Sequence, residues 1–271
     1  MSTLAAIFRP TSLAEAVRLL KDPARAPLAG GTFLGAHLPQ QLTGLVDLSL
    51  LGLSYVKAAG GRVAIGAMTT LDELARSKAL GPLAALARDM TPQPLRNMIT
   101  VGGDVMLPLR WSDLPLLCCV LDAEFVLRSP RERVLGAAAF FATQPRRLLK
   151  PGELLTEIRL PAMKSACLAR KKLLRSHDDV PALQTAVSVV CKRQKMSSVR
   201  IAYVAQQALP TRLRQCEALL EGQPPSPKLF AQAAEAAMAE ADALKDLRFS
   251  SEYLTEMLGV HVKRMLQDCA S

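Results

Sequence analysis

The chain is 271 residues long, half of them hydrophobic and 21% charged, which makes a globular, enzyme-sized protein of one large domain or two to three lobes the default. It has no run of eighteen apolar residues, and its first residues, "MSTLAAIFRPTS", lack a basic segment leading into an apolar core. Neither a membrane span nor a secretory leader is expected, and the protein is expected to be soluble and cytoplasmic.

In chain order, "TSLAEAVRLL" opens on a Thr or Ser cap, carries a Glu soon after and repeats apolar residues at helical spacing, which predicts a helix over 11–20. "APLAGGTFLGAHLP" reads as a short strand entering a glycine turn, and "GLVDLSLLGLSYV" as a second apolar strand with a turn after it. "GGRVAIGAMTT" predicts another strand. It runs into "TLDELARSKALGPLAALARDM", where Thr69 or Thr70 caps a helix and Gly81-Pro82 separates it from the next. Adjacent Cys118 and Cys119 lie in "LPLLCCVLDAEFVL", an apolar run that reads as core. Strand patterns return in "AEFVLRS", "RERVLGAAAFF" and "ELLTEIRLP", closing a mixed lobe near Pro161. From Met163 onward, "ACLARKKLLRSHDDVPALQTAVSVVCKR" and "SSVRIAYVAQQALP" suggest an antiparallel pair. Two helices follow, starting at Ser226-Pro227 and Ser250-Ser251.

The 34 Lys and Arg against 24 Asp and Glu give a net charge of +10, favouring a nucleic acid, a phosphate-bearing cofactor or an acidic protein face as partner. The densest basic segments, "RSPRERV", "QPRRLLKPG", "LARKKLLR" and "CKRQKMSSVR", stand apart without interleaved aromatics. They read as solvated surface, which argues against nucleic acid. The six cysteines show no C-x-x-C spacing and read as free thiols in a reducing compartment. His37, His177 and His261 have no carboxylate or cysteine at ligand spacing, so they read as structural and no metal is expected.

Two glycine pairs carry the chemistry. In "LAGGTFLG" a Gly-Gly directly after a strand lets backbone N–H groups converge on one point without Cβ interference, as in a phosphate-cradling nest. In "TPQPLRNMITVGGDVMLP" a second pair, Gly102-Gly103, follows Thr100 and precedes Asp104, with "RWSDLP" close behind. Two such loops suggest one extended phosphate ligand. Thr100 can donate a hydroxyl, and Asp113 can accept from sugar hydroxyls or cap the helix that follows it.

Five ordered motifs, "LAGGTFL", "VAIGAMTTLDEL", "PLRNMITVGGDV", "WSDLPLLCCVLDAEFVL" and "LLKPGELLTEIRLP", resemble the FAD-binding (medium) subunit of molybdenum hydroxylases, the xanthine dehydrogenase and carbon monoxide dehydrogenase flavoprotein family. "IAYVAQQALPTRLRQCEALLEG" and "DLRFSSEYLTEML" are similar to that family's small C-terminal domain. The resemblance implies an α+β fold: a two-lobed FAD-binding domain of the vanillyl-alcohol-oxidase-like (PCMH) kind, then a small α+β domain with an antiparallel sheet and helices. The boundaries expected are 1–55, 56–162 and 163–271. It implies FAD held on a pyrophosphate loop of Leu28, Ala29, Gly30, Gly31, Thr32, Phe33 and Leu34, and on a second loop of Thr100, Gly103 and Asp104 with Met106 nearby. Asp113 would contact the ribityl or adenosine part. Met90, Leu95 and Leu155 would wall the ring, and Lys171, or Lys172 one residue on, would reach the flavin edge.

The same resemblance implies partner chains, an iron–sulfur subunit with [2Fe-2S] clusters and a molybdopterin subunit with the molybdenum cofactor. Electrons would pass through FAD to NAD or another acceptor. Three residues depart from the family's pattern: Asp104 where Asn is usual, Phe33 after Gly-Gly-Thr, and Trp111 before Ser112-Asp113. A carboxylate only accepts where an amide also donates, so Asp104 disfavours an adjacent pyrophosphate. The rival reading is an FAD-free scaffold subunit of such a complex.

Overall fold

The computed structural model describes residues 6–163, 166–176, 179–206, 209–242 and 244–270; His177 lies outside them. In chain order the elements are β1 (Ala6–Phe8), α1 (Leu13–Leu19), β2 (Arg25–Leu28), β3 (Gly44–Asp47), β4 (Val56–Ala59), β5 (Arg62–Gly66), α2 (Leu71–Arg76), α3 (Pro82–Arg88), α4 (Gln93–Arg96), α5 (Val101–Met106) and α6 (Leu114–Val120). They continue with β6 (Glu124–Arg128), β7 (Glu132–Gly136), α7 (Ala137–Phe140), β8 (Leu154–Pro161), β9 (Ala166–Leu173), β10 (Leu183–Lys192), β11 (Lys195–Val204), β12 (Thr211–Arg212), α8 (Arg214–Leu220), α9 (Pro227–Glu240) and α10 (Ser251–Ala270). The chain divides into two compact units, 1–107 with 123–162, and 108–122 with 163–271. The stretch 108–122 thus belongs with the C-terminal residues.

In the first unit, β1, β3 and β2 form a parallel sheet in that order, and β4-β5-β8-β6-β7 an antiparallel one. Local chemistry explains the boundaries. Ser12 caps α1 by accepting from the Glu15 amide at 3.3 Å. Thr70 and Glu73 form a reciprocal capping box on α2. Gly81, at φ +47°, turns the chain into Pro82 at the start of α3, so the break expected there is present. "GLVDLSLLGLSYV" is not one strand: only Gly44–Asp47 pairs, and the chain leaves extended geometry through a single 3₁₀ turn at Ser49–Leu51 and Gly52 at φ +65°. Phe125 and Phe140 stack at 3.8 Å between centroids, with Phe141 edge-on to both, filling the core behind β6.

In the second unit the expected antiparallel pair is a four-stranded sheet, β12-β11-β10-β9. "ACLARKKLLRSHDDVPALQTAVSVVCKR" gives two strands, Ala166–Leu173 and Leu183–Lys192, and Pro181 ahead of the second has no N–H to donate to a ladder. Helices α8, α9 and α10 cover one face over a core that includes Leu183, Val187, Ile201, Phe230, Leu258 and Val262.

The expectation of six free thiols is overturned, because Cys167 in β9 and Cys269 in the last turn of α10 form a disulfide with Cα atoms 5.5 Å apart. The two residues are 102 positions apart, and only the packing of α10 on the sheet brings them together. Cys118, Cys119 and Cys216 are buried, the first two in α6 as core, and Cys191 is exposed.

Candidate functional site

The first glycine loop leaves β2 at Leu28, whose carbonyl accepts from the Leu48 amide at 3.0 Å. Gly31 stands at φ +69°, a conformation that costs L-residues strain. The turn after it is closed by Gly35 N donating to Gly31 O at 2.8 Å and His37 N donating to Phe33 O at 3.0 Å. Phe33 stacks on His37 with centroids 4.5 Å apart, so the residue that departs from the family's pattern is used to order its own loop. Among the described residues, the backbone N–H groups of Gly31, Thr32, Phe33 and Leu34 meet no protein acceptor. Four successive amides of half-buried backbone are thus left without a protein acceptor.

Gly30 decides what lies beside that loop. A Cβ there would overlap the carbonyl oxygen of Met98, with the carbonyl carbon at 2.8 Å and Ile99 Cα at 3.5 Å. The two glycine loops, far apart in sequence, are therefore in direct backbone contact, and glycine alone permits it.

The second loop is built differently from expectation. Val101 N donates to Thr69 O at 2.8 Å, Gly102 N to Ala67 O at 2.8 Å, and Gly103 N to Thr100 Oγ1 at 3.1 Å. All three amides are satisfied within the protein, so this loop is the capped start of α5 and not a second amide cup. Gly102 is required because a Cβ would lie 2.7 Å from Ala67 O. Thr100 is 4% exposed and acts as the N-cap; half-buried Asp104 sits in the first turn, where the helix dipole favours a carboxylate.

Of the apolar residues expected around a ring, Leu95 is 44% exposed, and Met90 and Met106 are half-buried. Met98, which the sequence did not single out, is 51% exposed beside Gly30. Leu155 lies deeper. It is 5% exposed in β8, the middle strand of five, and the protein itself covers nearly all of its side chain.

Asp113 and Lys171 lie in the second unit and are occupied there. Asp113 holds the N-cap position of α6 without capping it. Its carboxylate, 1% exposed, faces Arg170 Nη1 at 2.7 Å and Lys172 Nζ at 2.8 Å. Burial pushes that carboxyl above the ordinary aspartate range, against the opposing pull of Arg170 and Lys172. Lys171, on the other face of β9, pairs with Asp268 at 3.4 Å. The period of two along the strand, legible in "ARKKL", places residues 170 and 172 on one face and 171 on the other.

His261 is buried and its Nδ1 lies 3.1 Å from Thr185 Oγ1. Burial, then Lys171 and Arg264, lower its pKa to about 4, which agrees with a structural role.

Residues 3–163 match the family described as the FAD binding domain in molybdopterin dehydrogenase, and residues 169–269 match the CO dehydrogenase flavoprotein C-terminal domain. The chain belongs to this flavoprotein family. Among its relatives, the carbon monoxide dehydrogenase medium chain of Hydrogenophaga pseudoflava is 34% identical over 95% of this chain and 94% of that one. The glyceraldehyde dehydrogenase medium chain of Sulfolobus acidocaldarius is 28% identical over 97% of each. A solved structure of carbon monoxide dehydrogenase from Hydrogenophaga pseudoflava, a form lacking the Mo-pyranopterin moiety, superposes with a TM-score of 0.90 at 30% identity over 99% of this chain and 98% of that one. The chain is thus an FAD-binding subunit of the molybdenum hydroxylase family, an oxidoreductase component of mixed α and β structure. No described helix is long and apolar enough to cross a membrane.

Proposed function

We propose that this chain holds FAD as the electron-transferring subunit of a multi-subunit molybdenum hydroxylase. It would receive electrons from a partner iron–sulfur subunit with [2Fe-2S] clusters and pass them to NAD or another acceptor. The partner that oxidises the substrate would carry the molybdenum cofactor. One observation supports this above the others: four unpaired backbone N–H groups at Gly31–Leu34, walled by the Gly30–Met98 contact, suit a diphosphate.

FAD, when bound, supplies a group that takes electrons singly and returns them in pairs. The protein's part is binding and shielding. The Gly31–Leu34 amides hold the pyrophosphate, whose charge also suits a chain of net charge +10. Met98 and Leu95, apolar and exposed beside the loop contact, keep water from a ring placed against them. Thr100 holds the start of α5 in place through its cap on Gly103. No side chain in this set needs to move a proton.

The test is the flavin content and absorbance of the purified full-length chain, with and without added FAD. A yellow protein with about one FAD per chain supports the reading. A colourless chain that stays so in excess FAD supports the scaffold alternative.

A further inference from the structure

We propose that the Cys167–Cys269 pair is a redox-responsive clamp. Closed, it fastens the last turn of α10 to the edge strand β9; reduced, it releases that turn while the sheet stays folded.

The geometry of α10 points this way. His261, Met265 and Cys269 follow one another at four-residue spacing on the face turned to the sheet, and the first two are buried. Beyond Leu266 no described residue of the helix is buried, so burial does not secure its last turn. An ion pair in that turn, Lys171 with Asp268, has side chains 34% and 64% exposed and contributes little in water. On the other side, β9 pairs with β10 alone, and Cys167 is its second residue. The disulfide therefore joins the last turn of a helix, at the margin of the core, to the edge of a sheet. Local opening there needs no disruption of the core.

The buried cysteines do not compete. Cys118, Cys119 and Cys216 are buried, and burial pushes the Cys119 thiol up to about 11 and the Cys216 thiol up to about 12. Cys191 is exposed in β10, two residues past Val189, the register partner of Cys167, so its own state is read separately in the test. Cys167 and Cys269 are both only half-buried, so a small thiol can reach them.

The chemistry is thiol–disulfide exchange with a small dithiol. One reductant thiolate attacks a sulfur of the pair, breaking the protein S–S bond, forming a mixed disulfide and releasing one cysteine as thiolate. The second reductant thiol then attacks its own mixed-disulfide sulfur, closing the reductant's disulfide and releasing the other cysteine. The protein gains two electrons and two protons; the dithiol loses the same. Reclosure runs the reverse exchange with a small-molecule disulfide as oxidant.

The test uses the full-length protein, equilibrated with oxidised glutathione or with dithiothreitol. Alkylation is mapped by peptide mass, and hydrogen exchange is followed by segment. After oxidation Cys167 and Cys269 should be protected and recovered as one disulfide-linked peptide pair, with Cys191 free or carrying glutathione; after reduction both should be labelled. Exchange in 262–270 should accelerate at least tenfold on reduction, with β10 and β11 unchanged. The Cys269→Ser variant should exchange at the fast rate in both buffers, and Cys167→Ala should repeat it. The proposal is overturned if Cys167 and Cys269 alkylate freely after oxidation, or if exchange in 262–270 is the same in both states. It is also overturned if β10 and β11 loosen together with α10, or if Cys269→Ser still responds to dithiothreitol.

Discussion

Replacing Gly30 with alanine tests the loop contact on which the proposed FAD site depends. The added Cβ would fall on the Met98 carbonyl oxygen and within 2.8 Å of its carbon, both of them backbone atoms that no rotamer change can remove. Ordinary contact between such atoms needs about 3.5 Å, so the two loops must part by roughly 1 Å or more. A displacement of that size carries an amide–phosphate hydrogen bond of about 2.9 Å beyond the range in which it counts as one. Hydrogen bonds to a charged acceptor contribute about 1.5–3 kcal/mol each. Losing one of the four donated by Gly31–Leu34 weakens FAD binding by about 10- to 150-fold. The assay is a titration of the FAD-free protein with FAD, followed by flavin fluorescence, with circular dichroism to confirm folding. Gly136→Ala is the control, since Gly136 has φ −72° and nothing within 4 Å of an added Cβ. If Gly30→Ala binds FAD within twofold of the unaltered chain, the loop apposition does not shape the site and the reasoning fails.

Two predictions concern the second unit. Asp113→Asn leaves Arg170 and Lys172, with side chains 9% and 17% exposed, facing each other without their carboxylate, and should lower unfolding free energy by about 3–5 kcal/mol in urea melts. A loss below about 1 kcal/mol would show the cluster to be solvated. For His261 the folded pKa of about 4 lies below the ordinary 6.5, so between the two values the unfolded chain binds more protons. Stability from this group is complete above about 6.5 and declines as pH falls toward 4, by up to roughly 3 kcal/mol. His261→Gln should therefore lose less stability than the unaltered chain between pH 7 and 4.5. Equal losses would place His261 in contact with water.

Much of the local structure was legible because its causes are local. The Thr70–Glu73 box, the Gly81-Pro82 break and the alternation of Arg170 and Lys172 each lie within a few residues. The turn at the first glycine pair was legible for the same reason: a strand end followed by Gly-Gly needs no distant partner to turn. The second loop misled because Gly102-Gly103 reads the same whether its N–H groups point at a ligand or at Thr69, Ala67 and Thr100. Likewise, the apolar character of Leu155 was legible, but its depth follows only from its place in the middle strand.

By itself, then, the order of residues determined the helix caps and breaks, the first glycine turn and the family, because these rest on backbone preferences and motifs over short spans. The tertiary structure alone decided that Gly30 must abut Met98, that Asp113 is committed to Arg170 and Lys172, and that Cys167 and Cys269 are bonded. Each of these joins positions brought together by sheet pairing and helix packing, and chain separation carries no record of such contacts.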